Sequence, residues 1–156
     1  MNDVDILKKI EKKVLWLACW MIHNANHIRE NQDGLKVGGH QASSASIVSI
    51  MTALYFSFLR PEDRVAVKPH ASPVFHAIQY LSGLQTKEKI QNFRGFGGAQ
   101  SYPSRTKDID DVDISTGSVG LGVAMTSFIS LIQDYVARKK FYKNKPLGRM
   151  IALVGD

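Results

Sequence analysis

The sequence predicts an α/β fold in which a parallel sheet is flanked by helices. Apolar residues recur at steps of three and four in several segments, as on the buried face of a helix. Two short apolar runs, residues 64–67 and 150–154, are typical of buried strands, and helical segments lie between them. Because ligands bind beyond the carboxyl ends of parallel strands, we expect a site just after each of these two runs.

The N-terminal half is predicted to be mainly helical. Residues 5–29 carry apolar side chains on one face, Leu7 to Ile28, and lysines on the other, and a turn composition follows at residues 31–34. A second amphipathic helix is expected over residues 47–58, with the preceding serines as possible caps.

The rest of the chain alternates between strands, helices and one long loop. The expected elements are a strand at 64–67, helices at 72–81 and 86–93, a loop at 95–117, a helix at 120–138 and a strand at 150–154. A loop of that length is usually functional or disordered. The longest apolar stretches, residues 47–59 and 119–132, are shorter than the roughly 20 residues of a membrane span and are predicted to be buried helices.

Composition and charge indicate one soluble domain. The chain has 156 residues, of which 44% are hydrophobic and 22% charged, and its formal net charge is +6. The basic residues cluster on the lysine face of residues 8–13 and at the end of a helix, residues 138–145, without a nucleic-acid-binding motif, so nucleic acid ranks last among the expected partners. No secretory signal or membrane segment is expected, which predicts a cytoplasmic protein. The single cysteine, Cys19, excludes an intrachain disulfide.

Polar residues follow both predicted strands. His70 comes after the first, where the start of a helix adds amide donors for an anionic ligand; a histidine in a simple turn is the other reading. Gly117 and Gly120 open the helix after the long loop and allow close approach of a ligand, unless they serve tight helix packing. No strand directly precedes them, so a dinucleotide fingerprint is excluded.

Five segments in order resemble one enzyme family. They are GGHQASSAS (residues 38–46), KPHASP (68–73), QSYP (100–103), STGSVGLG (115–122) and VGD (154–156). This chain is similar to the thiamine-diphosphate enzymes of the transketolase superfamily, and is closest to the homodimeric pyruvate dehydrogenase decarboxylating component. The resemblance implies a partial thiamine-diphosphate-binding fold over residues 1–156, which form the N-terminal part of the diphosphate-binding domain.

The resemblance also implies roles for particular residues. His40 would be a catalytic residue near the reacting ring of thiamine diphosphate, and His70 would contact the diphosphate. Ser115, Gly117 and Gly120 would also bind the cofactor, and Asp156 would be a ligand of Mg²⁺, which prefers oxygen donors. The implied substrate is a 2-oxo acid, pyruvate, within a homodimeric parent enzyme.

Other functions stay open on the sequence alone. Transketolase and 1-deoxy-D-xylulose-5-phosphate synthase, which act on sugar phosphates or pyruvate, are the enzyme alternatives, although Gln41 and Ala42 depart from the transketolase pattern. The non-enzyme alternative is a catalytically silent interaction module. Because the metal motif stops at Asp156 and the last strand lacks a covering helix, we expect a truncated piece that is inactive by itself.

Overall fold

The computed structural model describes residues 3–30, 34–117, 120–141 and 146–155. In chain order its elements are α1 (Asp3–His23), α2 (Gln41–Ala45), α3 (Val48–Ala53), β1 (Arg64–Ala66), α4 (Ser72–Leu81), α5 (Lys87–Gln91), α6 (Leu121–Arg138) and β2 (Met150–Ala152). Two π-helical turns, Asn24–Ile28 and Leu54–Phe58, extend α1 and α3, and a 3₁₀ turn, Pro69–Ala71, leads into α4. Across the described ranges, every helix is too short or too polar to cross a membrane.

The two strands form a parallel sheet with helices on both faces. β1 and β2 pair in register, with Val65 opposite Ile151. Val65 and Val67 belong to the main apolar core, whereas Ala66, between them, lies against the start of α6 at Gly122. The predicted α/β class with a parallel sheet is therefore confirmed, and both strands lie where the sequence places them.

The main core lies between α1, α3, α4 and the inner face of β1. Met21 of α1 and Met51 of α3 are completely buried, and Phe75 of α4 is 1% exposed. Phe93, which follows α5, completes the aromatic part of this core. Burying an aromatic side chain of this size stabilises the fold by about 1.5–3 kcal/mol, so α4 is held firmly beside β1.

The π-helical turns overturn part of the predicted helix faces. Ile28, expected on the buried face of the first helix, is 58% exposed, because a π turn holds more residues than an α turn and rotates the side chains that follow. The second helix lies close to its predicted bounds, as α3 and the π turn after it, but two of its expected core residues, Ile50 and Phe58, are exposed. The predicted serine caps are wrong as well, since neither α2 nor α3 has a side-chain cap.

The prediction that the apolar stretch of α6 is buried is wrong. Thr126 is the buried residue of this helix, and several large apolar side chains are more than half exposed: Phe128, Leu131, Ile132 and Tyr135. α6 packs on the sheet through the face that carries Gly122, and within the described ranges nothing covers its other face. β2, also expected to be buried, is half-buried for the same reason.

A buried ion pair joins the beginnings of the two strands. The Asp63 side chain is fully buried and accepts hydrogen bonds from the Arg149 guanidinium, with Nη2 to Oδ2 at 2.5 Å. The same carboxylate accepts the backbone N–H groups of Arg149 (2.8 Å) and Arg60 (2.9 Å). The side-chain hydrogen bond from Arg149 is the main reason that the pKa of Asp63 lies far below its ordinary value.

Candidate functional site

A cleft of about 180 Å³ opens at the carboxyl ends of β1 and β2. This is the edge of the sheet at which the sequence predicts ligand binding. The cleft is lined by Val67, Lys68, Pro69, His70, Tyr102, Thr116, Gly117, Gly120, Gly122, Val123, Leu153, Val154 and Gly155. Four parts of the chain therefore meet there: the turn after β1, the middle of the long loop at Tyr102, the end of that loop with the start of α6, and the residues after β2.

The two predicted site histidines lie side by side. His70 is in the 3₁₀ turn after β1, and His40 immediately precedes α2. Their ring centroids are 4.5 Å apart with an interplanar angle of 41°, and both residues are exposed. They also line a small pocket of about 20 Å³ that adjoins the cleft at His70 and Tyr102. Two residues 30 positions apart in the chain thus present imidazole groups at one place.

A set of hydrogen bonds holds the segment before His40. Asn26, in the π turn after α1, accepts the N–H of Gly38 (2.8 Å) and donates to its carbonyl (3.0 Å). Arg94 donates from Nη1 to the Val37 carbonyl at 2.9 Å. Gly39 has φ +134, and a methyl group there would meet the side chain of Ile22 at 2.9 Å. Asn26 and Arg94 therefore hold residues 37–39 in place, and this segment determines where the backbone of His40 lies.

The glycines at the start of α6 have different roles. Gly120 has a φ of +79, a left-handed conformation that favours glycine, and it lines the cleft together with Gly117. Gly122 packs on the sheet, because a methyl group there would lie 3.2 Å from Cβ of Ala66. The packing explanation therefore applies to Gly122, while Gly117 and Gly120 leave the backbone open to the cleft.

One predicted site residue lies outside the cleft, and another is not among the described residues. Ser115 does not line the cleft; it is exposed in an adjoining groove, and its Oγ accepts the Arg105 N–H at 2.9 Å. Asp156, the expected metal ligand, falls outside the described residues. Among the residues that are described, no group of three or more histidine, cysteine or acidic side chains could hold a metal ion.

The long loop before α6 is ordered by buried and half-buried side chains. Asp108 accepts the N–H groups of Gln100 (2.9 Å) and Ser104 (2.8 Å). Asp113 accepts the N–H of Val65 at 2.9 Å, and its burial raises the pKa of this carboxyl. Thr116 donates to the Val67 carbonyl at 2.8 Å. The absence of periodicity over residues 95–117 therefore marks a loop with a defined structure.

The residues of the cleft and pocket that the sequence-based set lacks include Lys68, Tyr102 and Arg94. Lys68 reaches along Gly155, since a methyl group at that glycine would collide with the lysine side chain. Tyr102 lines both the cleft and the small pocket, and Arg94 lines the pocket. Lys68 is two residues before His70, and its position directly after the predicted strand is the sequence signal that could have identified it as a site residue. Nothing in the spacing of Arg94 or Tyr102 indicates that they approach His40 and His70.

Chemically, the cleft presents donors and positive charge to a ligand. The Lys68 ammonium, the His70 imidazole and the first turn of α6, at Gly120, surround one space. The N-terminus of an 18-residue helix carries free amide groups and the positive end of the helix dipole. Gly120 cannot cap those amides with a side chain. Such a set of groups favours an anionic ligand.

Comparison with known proteins gives one consistent result. The chain is 30% identical over 132 residues to the pyruvate dehydrogenase E1 component of Mycobacterium tuberculosis, a match that covers 78% of this chain. It is 28% identical over 164 residues to that of Escherichia coli K12, and 26% over 164 residues to that of Buchnera aphidicola subsp. Schizaphis graminum, each match covering 99% of the chain. No family model matches.

The chain spans only a small part of these relatives. It covers 14% of the length of the Mycobacterium protein and 18% of the other two. All three relatives are named as components of one enzyme, and the resemblance that the sequence motifs suggest is to the same enzyme. The chain is therefore a distant homologue of one segment of pyruvate dehydrogenase E1 components.

Proposed function

We propose that this chain forms the diphosphate-binding side of the active site in a thiamine-diphosphate enzyme that decarboxylates a 2-oxo acid. The observation that carries the proposal is the cleft at the carboxyl ends of β1 and β2, where His70 and the start of α6 at Gly120 meet. The similarity to pyruvate dehydrogenase E1 components over nearly the whole chain supports the same conclusion.

The residues of the cleft suit a diphosphate. Its charge would be balanced by Lys68 and approached by donors from His70 and the first amides of α6. Gly117 and Gly120 leave room for oxygen atoms next to the backbone. Mg²⁺ would be held by Asp156 together with phosphate oxygens, since this ion commonly takes one or two protein carboxylates and completes its shell with substrate oxygens.

His40 is proposed as the catalytic residue of this half-site. Thiamine diphosphate, when bound, supplies the nucleophilic carbon and the electron sink that decarboxylation requires. The exposed His40 imidazole, whose ring centroid is 4.5 Å from that of His70, would exchange a proton with a substrate bound beside the small pocket that both histidines line. Asn26 and Arg94 hold the backbone of the segment before His40, which supports a fixed place for this residue beside His70.

Pyruvate is the proposed substrate. The relatives reported above are named for pyruvate dehydrogenase, which favours it over the sugar phosphates of transketolase and over the reaction of 1-deoxy-D-xylulose-5-phosphate synthase. Ser115 is proposed to act from the adjoining groove, beside Thr116 and Gly117, and not from within the cleft.

Binding of thiamine diphosphate in the presence of Mg²⁺, measured by calorimetry, tests the proposal. We expect the unmodified protein to bind and His70→Ala to bind about tenfold to a hundredfold more weakly, since a hydrogen bond to a charged group contributes about 1.5–3 kcal/mol. His23→Ala is the matched control, because His23 is an exposed histidine at the end of α1 and lines neither the cleft nor the small pocket. Absence of binding by the unmodified protein would remove the basis of the enzyme proposal.

The exposed face of α6 favours an assembly role in addition. Phe128, Leu131 and Ile132 are each more than 60% exposed, and a patch of large apolar side chains is typical of an interface. We propose that a second copy of the chain covers it, as in the homodimer that the resemblance implies. Sedimentation should show a dimer that Phe128→Glu converts to a monomer, while Lys12→Glu on the solvent face of α1 leaves it intact. A monomeric unmodified protein would contradict this.

A further inference from the structure

A polar network is buried beneath the long loop, away from the cleft. His76 of α4 and Asp110 of the loop have side chains that are both completely inaccessible, and His76 Nδ1 contacts Asp110 Oδ2. Gln85 donates to the other oxygen of the same carboxylate. Burying such groups is costly unless every one of them is paired, so a network of this kind strongly restricts the geometry of the elements that it joins.

The hydrogen bond to Gln100 shows which ring nitrogen of His76 carries a proton. Nε2 of His76 is 2.7 Å from the carbonyl oxygen of Gln100, which can only accept, so Nε2 carries a proton. The rings of Phe75 and Phe93 stand edge to face on the imidazole, at 5.6 and 6.1 Å, and keep it in this orientation.

The Gln100 contact connects the network to the site. The carbonyl of Gln100 accepts from His76, while its N–H donates to Asp108, which also accepts the N–H of Ser104. Both ends of the turn at residues 100–104 are therefore held by side chains. Tyr102 lies in the middle of this turn and lines the cleft and the small pocket.

We propose that His76 is a positioning residue that, through the Gln100 carbonyl, sets the turn at residues 100–104 and so places Tyr102 at the cleft. Asp110 and Gln85 hold the imidazole in the orientation that this contact needs. The identity of the ligand that Tyr102 meets rests on the proposed function; the positioning of the turn does not. His76 itself never touches the ligand.

Two substitutions test the two hydrogen bonds of the imidazole one at a time. In His76→Gln the side-chain amide can replace Nε2 and donate to Gln100, whereas in His76→Asn it replaces Nδ1 and meets only Asp110. Ile78→Ala is the matched control, since it loosens the same helix at an equally buried position that takes no part in the hydrogen bonds or ring contacts of His76. Hydrogen exchange of the Gln100 and Ser104 amides is measured for each variant, at temperatures chosen to give equal global stability.

We expect exchange at Gln100 and Ser104 to be about tenfold faster in His76→Asn than in Ile78→Ala, with His76→Gln close to the control. Affinity for thiamine diphosphate with Mg²⁺ should fall in the same order. Equal exchange in the Asn and Gln variants, or in the Asn variant and the control, would overturn the proposal. If the unmodified protein binds no thiamine diphosphate, the proposed function fails, and the exchange rates alone decide the role of His76.

Discussion

Replacement of Asp63 by alanine tests whether the cleft depends on the ion pair at the opposite end of the strands. Asp63 immediately precedes β1, and its carboxylate accepts hydrogen bonds from Arg149, which immediately precedes β2. Both strands are only three residues long, so few hydrogen bonds other than these set their register. We therefore expect Asp63→Ala to destabilise the sheet and the cleft beyond it together.

The size of the effect follows from the contacts. The substitution removes the acceptor of two backbone N–H groups, those of Arg60 and Arg149, and of the Arg149 guanidinium. Removing one partner of a buried pair costs about 3–5 kcal/mol. Because the Arg149 side chain is 34% exposed and can regain water, the lower end, about 3 kcal/mol, is expected. In a domain of this length that lowers Tm by about 6–12 °C.

The effect should depend on pH in a defined direction. Hydrogen bonding from Arg149 holds the pKa of Asp63 in the folded protein well below the value of about 3.9 in an unfolded chain. The stabilisation is therefore fully present above the unfolded pKa and is lost as the pH falls through the folded one. At pH 3 the difference between Asp63→Ala and the unmodified protein should be smaller than at pH 7 by about 1 kcal/mol.

Urea unfolding at pH 7 and pH 3, followed by circular dichroism, measures both quantities. Glu62→Ala is the control, because it removes a carboxylate from the adjacent position of the same turn. A loss of less than about 1 kcal/mol at pH 7, or a difference that grows on acidification, would show that the ion pair does not stabilise the sheet in this way.

Two further predictions concern the segments that form the site. Gly120→Ala should cost about 1–2 kcal/mol in unfolding free energy, since φ is +79 and no atom lies within 4 Å of the added methyl group, so the cost is backbone strain alone; an unchanged urea midpoint would contradict it. Asn26→Ala should cost about 2 kcal/mol through two lost hydrogen bonds to Gly38 and should broaden the NMR signals of the His40 ring. Sharp, unshifted His40 signals in that variant, with Asn26→Asp measured for comparison, would show that the segment positions itself by other means.

Much of the fold could be predicted from local pattern. The strand at Arg64–Ala66 and the helix Ser72–Leu81 were correctly placed because β-branched alternation and a proline near a helix start are local signals. The π turns could not be predicted, since an extra residue in a turn leaves no mark on apolar periodicity. Ile28 and Phe58, the last residues of these turns, are both more than half exposed.

The exposure of α6 could not be predicted either. Its sequence is as apolar as that of a core helix, and periodicity reports which residues are apolar, not what covers them. Burial depends on the neighbours that the chain provides, and the described residues cover only the face of α6 that meets the sheet at Gly122.

The candidate site, like the fold, could be predicted from the sequence only in part. The sequence by itself determined that His70, Gly117 and Gly120 were candidates, because they stand at a strand end or a helix start, and such features are local; His40 was a candidate through the resemblance of residues 38–46. Only the tertiary structure decided that the two histidines adjoin, that Ser115 lies outside the cleft, and that Tyr102 completes it. These relations depend on hydrogen bonds between residues distant in the chain, such as that from His76 to the Gln100 carbonyl. Local periodicity carries no information about contacts of that kind, since they form only when α4, the long loop and the sheet pack together.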